Sequence, residues 1–336
     1  MSGGVDSNAC AIMLQKEHPV QGFFMRLAQP DYPEQLERAQ EVADRLGIAL
    51  TVVDLGQQFE KMVLAYFADS YRRGLTPNPC LVCNREIKFG LLFAAMRAAG
   101  IERMATGHYA RIIERGGVCH LHKGLDRGKD QSYFLARLEQ TQLRHLLLPL
   151  GGQTKEQTYA LVASHGFTGF AGQESQDVCF LGGESAGDFL ARRHPGLAAD
   201  GPVLTVDGRE IGRHRGLFRH TIGQRRGLGL PDTSPWYVVR LDPAENAVIV
   251  GKQEDLLQRR VLVSDLHWPG GEAAHNGERF EVRLRSTHRG ATAVFHGEGE
   301  DRGSLHFDSD QRAVTPGQFA VLYRNDEVAG SGVISR

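Results

Sequence analysis

The sequence predicts an α/β chain in which a helix-covered parallel sheet is followed by β-rich segments, and three observations carry that prediction. Residues 20–25 and 48–53 are apolar runs, rich in β-branched and aromatic side chains, with the length of buried strands. Between them Leu36, Ala39, Val42, Ala43 and Leu46 recur at helical spacing, giving a strand–helix–strand rhythm. From about Gly201 the texture changes to short strands punctuated by Val-Asp-Gly, Leu-Asp-Pro and Pro-Gly-Gly, the pattern of small barrels or sandwiches.

The elements follow in order. Ser2-Gly3-Gly4-Val5-Asp6-Ser7 opens a helical run over residues 8–17, closed by His18-Pro19. Gly47 stops the helix between the first two strands, because glycine accepts the left-handed conformation of a helix end. A helical stretch over about residues 59–73 leads into Gly-Leu-Thr-Pro-Asn-Pro-Cys, a loop sequence. Another helix near residues 88–99 ends at Gly100, and a strand enters Thr106.

The 336 residues suffice for two or three domains at roughly 100–200 residues each. With 41% hydrophobic and 24% charged residues, the composition is that of a globular protein and excludes a disordered or fibrous one. Thirty-nine basic and forty acidic residues leave a net charge of −1, so any nucleic-acid site must be a local patch. The longest apolar stretches, residues 91–96 and 146–150, are far shorter than the roughly 20 residues that span a bilayer. The start carries no charged-then-apolar secretory pattern, and the five cysteines are too few and odd in number for a disulfide framework. A cytoplasmic protein with reduced thiols is expected, and a monomer, with no membrane partner.

The segment Ser2 to Ser7 has the chemistry of a phosphate cradle. Two glycines let backbone N–H groups approach phosphate oxygens, two hydroxyls add hydrogen bonds, and a helix N-terminus follows. Taken alone, a glycine turn with an N-cap serine reads equally well. The lysine of a P-loop and the spacing GxGxxG are both absent.

Ser-Gly-Gly-Val-Asp-Ser resembles the signature of PP-loop ATP pyrophosphatases, which cleave ATP to AMP and pyrophosphate while adenylating a substrate. Further segments sharpen the resemblance. They are Asn78-Pro79-Cys80-Leu81-Val82-Cys83-Asn84 with Ile87-Lys88-Phe89, Ala105-Thr106-Gly107-His108-Tyr109-Ala110 and Lys129-Asp130-Gln131-Ser132-Tyr133-Phe134-Leu135. Ser175-Gln176-Asp177-Val178-Cys179-Phe180 and Thr221-Ile222-Gly223-Gln224-Arg225-Arg226-Gly227-Leu228-Gly229 complete the ordered set. Together they resemble the tRNA-specific 2-thiouridylases over nearly the whole chain.

That resemblance implies a PP-loop nucleotide-binding domain over residues 1–183, a small β-rich, tRNA-binding central domain over 184–252 and a C-terminal β-barrel over 253–336. It implies that Met1, Ser2, Gly3, Gly4, Val5, Asp6, Ser7, Met25 and Gly107 hold ATP, with Mg2+ bridging the phosphates. Met25 and Gly107 also suit the role physically, following strands of an open α/β sheet. Cys179 corresponds to the cysteine that carries a persulfide, and Cys83 to the one that releases the sulfur by closing a disulfide. Asn78, Pro79 and Cys80 correspond to residues around the target base, and Lys129, Asp130, Gln131, Arg285 and Ser286 to tRNA contacts. The implied partners are tRNA and a persulfide-donating sulfur carrier or cysteine desulfurase. Outside the motifs, Cys10 and Cys119 read as small buried hydrophobes. Arg209, Arg213, Arg215, Arg219, Arg225 and Arg226, with His214 and His220 among them, form a basic cluster able to follow an RNA backbone.

The chain departs from the family pattern at three places. Cys80 stands where aspartate is usual, so Cys80, Cys83 and Cys179 have the ligand count for three irons of a [4Fe–4S] cluster, with the fourth iron open to sulfide. Zinc would need a fourth ligand, and persulfide relay is the alternative to any metal. Ser286 stands where tyrosine is usual. The family's hydrophobic strand before Ser-Gly-Gly-Val-Asp-Ser has no room ahead of Met1, so a natural start further upstream is expected. Two rival functions remain open at this level: another PP-loop ligase or amidotransferase, and an RNA-binding protein whose ATP site is inactive.

Overall fold

The computed structural model describes residues 1–167, 178–230 and 234–336. In the first third, strand β1 (Gly22–Arg26) pairs in parallel with β2 (Leu50–Asp54), and helix α1 (Val5–Gln15) precedes them. Helix α2 (Tyr32–Leu46) crosses between the strands, buries Ala39, Val42 and Ala43, and ends on Gly47 at φ 64°. These are the elements that the apolar periodicity predicts. A second parallel pair, β3 (Met104–Ala105) with β6 (Leu146–Leu147), forms a separate two-stranded sheet. The helical stretch from Gly56 to Arg72 and the one from Pro79 to Ala98 each contain π-type winding, over Glu60–Leu64 and Cys83–Leu92. Such winding is rare and is found mostly at functional sites.

The β-rich remainder divides in two. A four-stranded sheet runs β8 (Glu210–Arg215), β7 (Asp200–Thr205), β10 (Ala247–Gly251), β9 (Tyr237–Asp242), with β7 and β10 parallel. The C-terminal strands are β11 (Leu257–His267), β12 (Arg279–Arg283), β13 (Ala291–Gly297), β14 (Arg302–Arg312), β15 (Phe319–Arg324) and β16 (Glu327–Ile334). They run in the order β11-β14-β13-β12-β15-β16, and β11 pairs again with β16, which closes a six-stranded barrel and removes its edges.

The strand pattern alone does not reveal how the barrel is docked. The hairpin β4 (Ala110–Arg115) and β5 (Val118–Lys123), turned by Gly116-Gly117, leaves the N-terminal half and joins β16 through the pair Glu327 and His122. Strand β15 is buried on both sides. Phe319, Val321 and Tyr323 belong to the core of the N-terminal half, while Ala320 and Leu322 fill the barrel. A two-sided environment explains why Phe-Ala-Val-Leu-Tyr is continuously apolar instead of alternating.

Candidate functional site

The phosphate loop is shaped by close approaches that only glycine permits. Gly3 sits at φ 72°, and a Cβ there would lie 2.9 Å from the Ala39 nitrogen. Gly4 caps α1, and the Ser7 hydroxyl donates back to the Gly4 carbonyl at 2.9 Å. Ser2 Oγ lies 3.3 Å from Ser7 Oγ, so two of the hydroxyls face one another at the helix entrance. Gly107 packs on the loop from the sheet side: a Cβ there would lie 2.8 Å from the Asp6 carbonyl carbon, Cβ and carbonyl oxygen. Met25, half-buried in β1, pairs in register with Val53 and accepts from Gln29 at 3.0 Å through its carbonyl. Met1 is half-buried, donates to the Phe23 carbonyl from its terminal nitrogen and packs beside Val5.

Asp6 faces inward onto two side chains absent from the sequence-derived set. Lys155 Nζ lies 2.7 and 3.0 Å from the two carboxylate oxygens, and Tyr109 Oη donates to the carboxylate at 3.1 Å. The Tyr109 hydroxyl also lies 2.8 Å from Thr158 Oγ1, so the helix that carries Lys155 holds Tyr109 as well. That helix, Lys155–Ser164, starts with a reciprocal capping box between Thr154 and Gln157. The box Thr-x-x-Gln was the legible signal; nothing in it points to a lysine aimed at a loop 149 residues earlier.

The fold gathers the motif cysteines. Asn78 accepts from the Cys80 N–H at 3.1 Å through its side chain and so starts the short helix Pro79–Val82, with Pro79 in its first turn. Cys83 follows on the π-wound segment, and its neighbour Asn84 is buried and donates to the Phe134 carbonyl at 2.9 Å. Cys179 is exposed but is anchored by Phe180, whose ring packs edge-on against Phe59 and Phe67 at 5.8 and 5.2 Å. Residues 175–177 of the same motif lie outside the described residues.

The three thiols influence one another electrostatically although Cys83 and Cys179 are 96 residues apart in the chain. Burial pushes Cys80 up to about 11 and Cys83 up to about 12, with the Cys179 thiolate adding to both. Cys179 is raised too: its own surface is open, but the atoms crowded around it disfavour the thiolate. Lys88, one π-turn beyond Cys83, opposes the rise at all three. The same ammonium acts on the Met1 terminus and on His108, whose burial holds it neutral. One lysine therefore stands electrostatically between the phosphate loop and the thiols. Lys88 lay inside a quoted motif, but the reading of the motif gave it no task.

The remaining cysteines, Cys10 and Cys119, are buried, and all five thiols are free. Among the described residues no three His, Cys, Asp or Glu side chains are grouped so as to hold a metal ion, Cys80, Cys83 and Cys179 included. A [4Fe–4S] cluster would take all three as thiolates; in the structure they are free thiols that are not grouped around a metal position.

The segments expected to face RNA are placed unequally. Arg285 is exposed just past β12 and Ser286 is half-buried beside it. Lys129 is half-buried in the turn after β5. Asp130 has a side chain only 1% exposed, paired with Arg283 at 2.8 Å. Gln131 accepts from the Tyr109 N–H at 3.0 Å through its side chain and donates to the Tyr109 carbonyl at 2.8 Å through its N–H. Around the central sheet Arg209, Arg213, Arg215, Arg219, Arg225 and Arg226 are all exposed, Arg213 and Arg215 on β8 and the others in the turns and loops that flank it. The two histidines do not belong with them: His214 and His220 are buried, and burial lowers both, His220 to about 4, so neither adds charge at neutral pH. No helix among the described residues is long and apolar enough to cross a membrane.

Comparison with known proteins gives the same order of parts. Residues 1–183 match the family model described as tRNA methyl transferase HUP domain, residues 187–252 the tRNA methyl transferase PRC-barrel domain, and residues 258–334 the aminomethyltransferase beta-barrel domain. The chain is 49% identical to the tRNA-specific 2-thiouridylase MnmA of Desulfotalea psychrophila, over 99% of this chain and 97% of that protein. It is 41% identical to the protein of the same name from Moorella thermoacetica, over 99% and 98% of the two chains. With that of Syntrophotalea carbinolica the identity is 40%, over 100% and 97%.

Proposed function

Since the chain belongs to the tRNA-specific 2-thiouridylase family, we propose that it adenylates O2 of the wobble uridine of tRNA and replaces that oxygen with sulfur. The observation that carries the reading is the convergence of Cys83 and Cys179 on one electrostatic neighbourhood that also reaches the phosphate loop through Lys88.

The loop from Met1 to Ser7 receives the ATP phosphates on backbone N–H groups and on the Ser2 and Ser7 hydroxyls, at the N-terminus of α1. Asp6 is the loop's carboxylate and would hold Mg2+, which neutralises phosphate charge. Met25 and Gly107 flank the nucleotide, Gly107 because any side chain would collide with Asp6. Uridine O2 attacks the α-phosphorus and pyrophosphate leaves, which converts a poor leaving group into AMP. The terminal sulfur of a Cys179 persulfide attacks C2, and AMP departs with the oxygen. The Cys83 thiolate then attacks Cys179 Sγ, a Cys83–Cys179 disulfide forms, and the sulfur stays on the uracil ring. A thiol reductant restores both cysteines, and a persulfide carrier or cysteine desulfurase reloads Cys179. No step passes through a metal cluster.

The wobble base must leave its stack, which is easiest in the single-stranded anticodon loop. Asn78, Pro79 and Cys80 stand beside Cys83 to receive it. Lys129, Arg285, Ser286 and the exposed arginines of the central segment hold the RNA, and the buried Asp130 and the backbone-bound Gln131 position the turn that presents Lys129. Five free thiols accord with a reducing compartment, and we assign the chain to the cytoplasm. The organisation into a nucleotide domain (1–183), a central RNA-binding domain (184–252) and a barrel (253–336) follows the same reading.

The test is nucleoside mass spectrometry of unthiolated tRNA after incubation with protein, ATP, Mg2+, a thiol reductant and a cysteine desulfurase with cysteine as persulfide donor, in aerobic and anaerobic preparations. Two-thiouridine in both is expected. Cys179→Ser should abolish product while ATP and tRNA affinities stay within about twofold, and simultaneous loss of binding would count against a chemical role for Cys179. Product in the anaerobic preparation alone would contradict the persulfide route.

A further inference from the structure

We propose that Asp130 and Arg283 form a buried latch that keeps Arg285 of the barrel in register with residues 129–131, so that Asp130 serves RNA recognition through Arg283 and does not touch RNA. The proposal rests on the reading of the chain as a tRNA-thiolating enzyme.

The Asp130 carboxylate is enclosed and fully occupied. It accepts from the Gly124 N–H at 3.0 Å, from the Ser132 N–H and hydroxyl at 3.1 Å each, and from Arg283 Nη1 at 2.8 Å. A carboxylate has about four acceptor sites, so none remains for a base or ribose hydroxyl. Arg283 is itself only 13% exposed, and its charge lies over the Tyr323 ring at 5.0 Å. The Tyr323 hydroxyl meets Ser132 Oγ at 3.2 Å, closing a ring of contacts between the two halves of the molecule. Lys123, 5% exposed, repeats the arrangement one step away, with Glu281 at 2.7 Å and the centre of the Tyr323 ring at 4.3 Å. Burying charge is unfavourable unless it is paired, and fixing register is the best-attested use of such pairs.

Geometry says what this register would serve. Arg283 is the last residue of β12, and the chain emerges at once to expose Arg285 two residues later. On the other side, Gln131 grips the Tyr109 backbone, and the Tyr109 hydroxyl reaches Asp6 of the phosphate loop at 3.1 Å. The pair thus ties the exposed arginine of the barrel to the frame that carries the ATP loop. A shift of β12 against β5 would move Arg285 relative to a wobble base fixed beside Cys83.

The experiment uses the full-length chain, an unmodified tRNA transcript with a wobble uridine, and a non-hydrolysable ATP analogue, with affinities read by fluorescence anisotropy. Asp130→Asn and Arg283→Met are each expected to weaken tRNA binding about tenfold, as when one partner of a buried pair is left unmatched. The ATP-analogue affinity should stay within about twofold. The neutral pair Asp130→Asn with Arg283→Gln removes both charges and keeps a hydrogen bond, and should recover most of the lost tRNA affinity, the non-additivity of coupled partners. If Asp130 reads RNA directly, Arg283→Met leaves tRNA affinity unchanged or tightens it, and the latch is overturned. It is equally overturned if the ATP affinity collapses in step with tRNA affinity, or if the double variant loses the sum of both singles. Should Asp130→Asn fail to fold, Arg283→Met and the double variant decide between these outcomes. A wild-type chain that bound no tRNA would instead remove the functional reading from which the latch takes its task.

Discussion

Cys83 illustrates how a single side chain can be identified by motif and yet have its state set by its surroundings. Its neighbours raise the thiol to about 12, burial first, with the Lys88 ammonium pulling the other way. The ordinary cysteine value is about 8.5, and the thiolate is the nucleophile, so alkylation of Cys83 by iodoacetamide should climb about tenfold per pH unit through pH 9 without a plateau. Mass spectrometry of a Cys80→Ser, Cys179→Ser background would check this, and a plateau near pH 8.5 would show the thiol to be exposed. The sign for stability follows. The folded chain holds this proton more tightly than the unfolded chain does. The stabilisation from the buried thiol is therefore complete below about 8.5 and is lost as pH rises toward about 12. Gly107 shows the opposite situation: the residue type is legible in the motif, and its reason, the 2.8 Å approach to Asp6, exists only once the fold is formed.

At the scale of elements, the helix Lys155–Ser164 joins local sequence logic to the ATP loop. Its capping box satisfies two N–H groups, from Gln157 to the Thr154 hydroxyl at 3.2 Å and from Thr154 to the side-chain Oε1 of Gln157 at 2.8 Å. Thr154→Ala should lower the stability of the N-terminal half by about 1 kcal/mol, the usual value for losing an N-cap. It should also weaken binding of the ATP analogue several-fold, because Lys155, the first residue of the helix, would lose its fixed position against Asp6. Urea unfolding and calorimetric titration measure the two effects. A stability loss with no change in nucleotide affinity would mean that Lys155 finds Asp6 without the cap. The π-wound Cys83–Leu92 segment belongs to this scale as well: residues five apart meet over one π-turn, whereas in an α-helix, at about 100° per residue, they would lie about 140° apart.

For the whole molecule, the barrel is the clamp that completes the site. Besides the Asp130 pair, it holds the loop before Asn78: Thr76 donates to the Pro316 carbonyl at 2.9 Å, and Gln318 donates to the Thr76 carbonyl at 2.8 Å. Gly317 lies at φ 94°, and a Cβ there would sit 2.9 Å from Leu75 Cβ. Gly317→Val should therefore displace the loop leading to Asn78, Pro79 and Cys80. Two-thiouridine formation should fall tenfold or more, with nucleotide affinity intact, in a rate assay run alongside calorimetry. Unchanged turnover would show that the loop holds its shape without the barrel. Much of this protein was legible in the chain itself. The spacing of apolar residues in α1 through β2, Gly47 as a helix stop, the change to β texture near Gly201 and the ordered motifs are local patterns, and local chemistry writes them directly into sequence. The electrostatic reach of Cys179 to Cys83, the aim of Lys155 at Asp6, the enclosure of Asp130 and the withdrawal of His214 and His220 from the basic cluster were decided only by tertiary structure. Each depends on residues far apart in the chain coming close, and on the loss of water around a charge when they do, neither of which any window of sequence contains.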